Sequence, residues 1–109
     1  MTIAYDDWAK LDVRVGTIRA AERVEGTDKL IKCTVDFGAE LGERTIVSGI
    51  ALWREPDALI GKQCPYIVNL EPRIIRGVES RGMLLAASDE NGIALLHPDA
   101  PLGPGARVK

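Results

Sequence analysis

The sequence predicts a mostly β chain with one short helix, folded as a five-stranded Greek-key barrel of the OB type. Three observations carry this reading. Short apolar runs separated by turn residues dominate, and 3.6-residue periodicity is nearly absent. The single helical signal falls between the third and fourth runs. The first run changes phase at a glycine, as a strand that bends around a small barrel must.

In Leu11-Asp12-Val13-Arg14-Val15 apolar residues alternate with charged ones, which puts Asp12 and Arg14 on a solvated face. After Gly16 the apolar positions become Ile18 and Ala20, so a bulge or sharp bend is expected at Gly16. A second strand follows, with Ile31, Cys33, Val35 and Phe37 on one face and Lys32, Thr34 and Asp36 on the other, ended by Gly38. The turn Gly42-Glu43 leads into a third strand, 44–50. Trp53 to Gly61 reads as the helix: Pro56 suits a first turn, acids flank it, and Gly61 suits the left-handed position after its end. A fourth strand, 64–70, is followed by a connection over 72–82. The apolar run 83–87 has the profile of a strand covered on both faces, residues 93–96 form one more short strand, and 98–105 is a looping terminus. A β-sandwich would lack the helix.

At 109 residues and 46% hydrophobic, the chain supports one core and one domain, 1–109. It opens on an acidic, polar stretch, and no run approaches the roughly 20 apolar residues of a membrane span, so a cytoplasmic protein with no membrane partner is expected. Cys33 and Cys64 sit in apolar strand-like runs and read as buried hydrophobes, without a CxxC pair. With one histidine, His97, a zinc site has too few ligands; His97 precedes Pro98 in what reads as a solvated turn. No metal or other cofactor is expected.

Catalysis finds no seat. The serines are Ser48, Ser80 and Ser88, and Gly77-Val78-Glu79-Ser80-Arg81-Gly82 spaces its first glycine one residue too far from the serine for a nucleophile elbow. There is no phosphate loop and no GxGxxG. The carboxylate pairs Asp6-Asp7 and Asp89-Glu90 lie in polar turns.

A net charge of −2 and a pI near 5.4 argue against a general nucleic-acid binder. Charge is segmented, however. Residues 36–60 carry Asp36, Glu40, Glu43, Glu55 and Asp57 against Arg44 and Arg54. Residues 10–32 carry six bases (Lys10, Arg14, Arg19, Arg23, Lys29, Lys32) against Asp12, Glu22, Glu25 and Asp28, and a second basic cluster is Arg73, Arg76 and Arg81, so one face can be positive if the two basic segments adjoin. Five aromatics, of which Phe37 and Tyr66 read as core and Trp53 as a pin for the helix, are too few to stack a single strand tightly. Folded RNA, held through phosphates and 2′-hydroxyls, remains open to such a protein.

The run Lys10-Leu11-Asp12-Val13-Arg14-Val15-Gly16, then Asp28-Lys29-Leu30, Val35-Asp36-Phe37-Gly38, Ile46-Val47-Ser48-Gly49-Ile50, Gly61-Lys62, and Asn69-Leu70-Glu71-Pro72-Arg73 through Gly77, Ser80, Gly82 and Met83 resembles the tRNA-binding domain family. The resemblance runs from about Tyr5 to Val108. That family includes domains appended to methionyl-tRNA synthetases, stand-alone tRNA-binding proteins, cytokine-precursor domains and an export-related chaperone branch. The resemblance implies an OB-fold, a homodimer formed through terminal segments, structure-specific binding to the outer corner of tRNA, and no catalysis.

Carried over position by position, it places the tRNA-binding loop at Asn69, Arg73, Arg76, Ser80, Arg81 and Met83, with Lys29 and Lys32 nearby. Arginines and lysines then pair with phosphates, while Asn69 and Ser80 hydrogen-bond sugar or backbone oxygens. Structural competitors stand beside these roles: Asn69 as a turn cap, Ser80 closing its own loop, Met83 as core, Gly77 and Gly82 as backbone geometry. One departure stands out, since many members have lysine where this chain has Ile74, which removes one phosphate contact and about one counterion from the salt dependence. A peptide-binding chaperone of the same fold is the alternative, and an accessory subunit tethering tRNA to an aminoacyl-tRNA synthetase is a third reading.

Overall fold

The computed structural model describes all of residues 1–109. Its elements in chain order are α1 (Tyr5–Ala9), β1 (Val13–Arg23), β2 (Ile31–Asp36), α2 (Gly38–Leu41), β3 (Glu43–Ser48), α3 (Pro56–Leu59), β4 (Gln63–Ile67), β5 (Arg73–Ile75), β6 (Val78–Ser80), β7 (Met83–Leu84), β8 (Ala86–Asp89) and β9 (Gly92–Leu95). A five-stranded antiparallel sheet in the order β3-β2-β1-β4-β7 curls into a nearly closed barrel. Helix α3, between the third and fourth strands, matches the OB arrangement that the sequence predicts.

β1 runs for 11 residues because it serves two partners. Val13 to Thr17 pairs with β4, and Thr17 to Arg23 pairs with β2. The bulge accompanying this handover lies between Ile18 and Ala20, not at Gly16 as the phase of the sequence indicates. Gly16 serves a different purpose: a Cβ there would run into Val35 and come within 2.7 Å of the Phe37 ring. Its missing side chain lets β2 pack directly over β1.

The core is built from alternate residues of these strands. Ile18, Ile31, Cys33, Val35, Phe37, Ile46, Leu59, Cys64 and Tyr66 are all at most 3% exposed. Each large aliphatic among them contributes about 1.5–3 kcal/mol by leaving water. Phe37 and Tyr66 meet edge to face at 5.4 Å, which confirms both as core. The C-terminal segment closes the open edge of β1: Val15 N–H donates to the Ala106 carbonyl at 2.7 Å, Gly105 N–H to Val15 at 2.7 Å, and Val108 N–H to Val13 at 2.9 Å.

Four expectations are corrected. The helix is one turn, and Trp53 lies before it with its indole beside Gly92. The run 83–87 is not one doubly covered strand: it splits into β7 and β8, Met83 is 43% exposed, and all four residues of β8 face solvent. The connection 72–82 is a hairpin, β5–β6. Arg14 does not sit on a solvated face, since its side chain is 12% exposed and bonded to Asp12, Glu40 and the Gly105 carbonyl. The helices α1 and α2 have no counterpart in the apolar pattern.

Candidate functional site

The β5–β6 hairpin is an arm joined by the two-residue turn Arg76-Gly77. Both turn residues have positive φ, 51° and 78°, the geometry whose twist matches that of paired strands. Arginine adopts this region far less readily than Asn or Gly, so the tip carries some strain and presents a guanidinium at its apex. In register, Arg73 lies opposite Ser80, Ile74 opposite Glu79, and Ile75 opposite Val78. Ile75, Val78 and Ser80 are at least half-buried toward the barrel, while Ile74 (70% exposed) and Glu79 face outward.

The base of the arm is tied to β3 by two hydrogen bonds. Val47 N–H donates to Ser80 Oγ at 2.9 Å, and Arg81 N–H donates to the Thr45 carbonyl at 2.9 Å. Both lie along the β3 edge that β2 does not use. Ser80 is 4% exposed, so its hydroxyl oxygen is a joint of the barrel.

Asn69 is also bound at both ends: its Oδ1 accepts from Asp12 N–H at 2.8 Å and its Nδ2 donates to the Lys10 carbonyl at 2.7 Å. It clamps the segment that leads into β1. Gly82, at φ 135°, lies so close to Ile46 and the Ile67 carbonyl that a Cβ would meet both near 3 Å. Met83 lies apart from the basic residues, in an apolar groove with Val47, Ile50, Leu84 and Ile93.

Lys32 occupies the centre of the basic surface. It lines one concavity with Arg44, Thr45 and Arg81 and another with Arg23 and Arg76, Val78 being common to both. Its Nζ is 2.8 Å from Glu22. Lys29 sits in the loop before β2, exposed, with its carbonyl accepting from Ala51 N–H. The structure thus brings Arg73, Arg76, Arg81 and Lys32 to one region.

Charge on the molecule is partitioned. On β1 every arginine is neutralised: Arg14 by Asp12 at 2.6 Å and Glu40 at 3.0 Å, Arg19 by Asp36 at 3.0 Å, and Arg23 by Glu55 at 3.1 Å. Asp12 above all, against opposing burial, holds Arg14 above the ordinary arginine value. The Gly38 N–H first, and Arg19 second, hold Asp36 below the ordinary carboxylate value. On the arm, Arg73, Arg76 and Arg81 form no ion pair, nor does Arg44 at the edge of β3.

Sequence reasoning missed Arg44. It pairs in register with Val35, on the face of β3 that also carries Ile46, and a charge in the core phase of a strand is the signal that marks it. Its NH1 donates to the Val68 carbonyl at 2.7 Å. Burial, and then the neighbouring Arg81, lower its pKa from the ordinary arginine value, with Asp12 acting in the opposite direction.

Residues 13–107 match the family model described as "Putative tRNA binding domain". The chain belongs to this family. It is 48% identical over 108 residues to a methionine–tRNA ligase of Porphyromonas gingivalis, covering 98% of this chain but only 16% of that ligase. The chain therefore spans about a sixth of the length of such curated relatives. Among solved structures it resembles a methionyl-tRNA synthetase-related protein from Pyrococcus horikoshii (43% identity, TM-score 0.92, covering 100% of this chain and 99% of that one). It also resembles the chaperone CsaA of Bacillus anthracis (29% identity, TM-score 0.90, covering all of both chains). The tRNA-binding domain fold is thus shared by synthetase-related and chaperone proteins.

Proposed function

We propose that residues 1–109 act as one non-catalytic tRNA-binding unit, a cytoplasmic homodimer that grips the outer corner of folded tRNA and serves as an accessory to methionyl-tRNA synthetase. The observation that supports this most directly is the partition of charge. Arg73, Arg76 and Arg81 stand unpaired on and beside one arm of a chain whose other strand-borne arginines are mostly neutralised. Free guanidiniums bind phosphates without first breaking an ion pair. With few exposed aromatics beside them, the contacts read backbone shape rather than bases.

Arg73, Arg76 and Arg81 of the family loop, with Lys32 on β2 and Lys29 in the loop before it, are the phosphate contacts. Asn69 and Ser80 hold the loop in place, and Met83 borders it. Dimerisation doubles the contact surface on an acidic chain. Sedimentation at micromolar concentration gives the dimer mass on this reading, and monomer alone overturns the dimer.

A gel-shift titration with unfractionated tRNA at two salt concentrations tests the function. Salt-sensitive binding that unstructured RNA does not displace is the expected result. Absence of binding even at low salt favours a second reading, peptide binding, which the likeness to CsaA and the apolar groove at Met83 support. That reading is then tested by suppression of aggregation of an unfolded protein.

A further inference from the structure

We propose that Arg44 and Arg81 together form a seat for a single phosphate group, between β3 and the base of the β5–β6 arm. They line a concavity of about 380 Å³ together with Lys32 and Thr45. Backbone geometry brings the two guanidiniums there. Arg44 is anchored by its NH1 bond to Val68, and Arg81 by its N–H bond to Thr45, so neither is drawn in by a carboxylate. Glu43 and Glu79 also line the concavity, yet neither forms an ion pair with either arginine.

Two like charges held together at a partly buried place repel, and the repulsion grows as water is excluded. Arg44 shows the effect, its charged form being disfavoured by burial and by Arg81. An anion between them removes the cost. The planar fork of arginine, with NH1 of Arg44 already committed to Val68, leaves Nε and NH2 for the oxygens of a phosphate, and Arg81 faces it from the arm. The seat thereby couples the arm to the barrel when it is filled. Its natural occupant, a phosphodiester of the RNA backbone, rests on the tRNA reading above; free phosphate and nucleotides share the same chemistry.

The test follows the arginine Nε–H resonances of the full chain during titration with inorganic phosphate, and tRNA affinity across salt for Arg44→Gln, Arg81→Gln, the double variant, and an Arg73→Ala, Arg76→Ala control. Phosphate is expected to shift the Arg44 and Arg81 signals together. Each single variant should weaken tRNA binding roughly tenfold and lower the salt slope by about one. The double variant should lose little more than either single, because one phosphate serves both. Additive, independent losses overturn the shared seat, as do unshifted resonances with unchanged affinity. If phosphate shifts both signals while wild-type protein binds no tRNA, the seat stands for free phosphate or a nucleotide and the tRNA reading falls. If only the arm control loses tRNA, the seat falls and the tRNA reading stands. Should Arg44→Gln fail to fold for want of its Val68 bond, the exposed Arg81→Gln decides alone, by loss of the phosphate-induced shift at Arg44.

Discussion

Ser80 Oγ accepts a 2.9 Å hydrogen bond from the main-chain N–H of Val47, and both residues are buried. This bond, donated from β3 to a side chain at the end of β6, closes the barrel where strand-to-strand pairing stops. Ser80→Ala leaves the Val47 N–H without a partner. A loss of about 1–3 kcal/mol is expected, read as a lower urea midpoint. tRNA affinity should fall with it, because the base of the arm loosens; an unchanged midpoint would show that water replaces the hydroxyl without cost.

Arg76 separates stability from binding. Asn takes positive φ more readily, so Arg76→Asn should stabilise the hairpin by about 1 kcal/mol while weakening tRNA binding. Thermal melts and gel shifts on the same preparation check both. A variant that loses stability would mean that the arginine side chain itself holds the turn.

Gly16→Ala places a methyl group against Val35 and Phe37, where β2 crosses β1 without a gap. Overpacking of this kind costs about 1–3 kcal/mol. Denaturant unfolding should show a lower midpoint with an unchanged slope, whereas wild-type stability would mean that β2 can shift.

Alkaline pH should destabilise the protein through its buried thiols. Burial, joined at Cys33 by the neighbouring Cys64, pushes both cysteines from 9.0 up to about 11, and burial raises Tyr66 as well. Folding therefore favours the neutral forms. Their contribution is fully present below pH 9.0 and lost as the pH rises through about 11. Urea midpoints measured across that interval should fall, and a Cys33→Ala, Cys64→Ala variant should flatten the fall; an equally steep decline in the variant would assign it to other groups.

The legible parts of the fold were those where one face is wet and the other dry. Ile31 to Asp36 alternates buried and half-buried without a break, so its sequence pattern is its structure. The arm was illegible because Arg76-Gly77 is not a standard turn pair and Ile74-Ile75 breaks the alternation, although Ile74 faces solvent. The run Met83 to Ala87 misled for a related reason: apolar composition indicates burial, and here much of it is exposed. Among the candidate residues, Arg73, Arg76 and Arg81 were legible as a basic cluster, and family likeness joined them to Asn69, Ser80 and Met83 in one loop. Arg44, whose importance comes from a neighbour 37 positions away in Arg81, emerged only when β3 and the arm were brought together.

On the proposed reading, unpaired arginines on the arm, not positive charge in general, hold the RNA. It is tested by comparing Arg76→Ala with Arg19→Ala, two variants of identical net charge, in tRNA binding across salt. The arm variant should lose roughly tenfold in affinity and about one unit of salt slope, while the β1 variant, whose arginine is already engaged by Asp36, should keep both. Equal losses in the two would reduce the interaction to nonspecific charge.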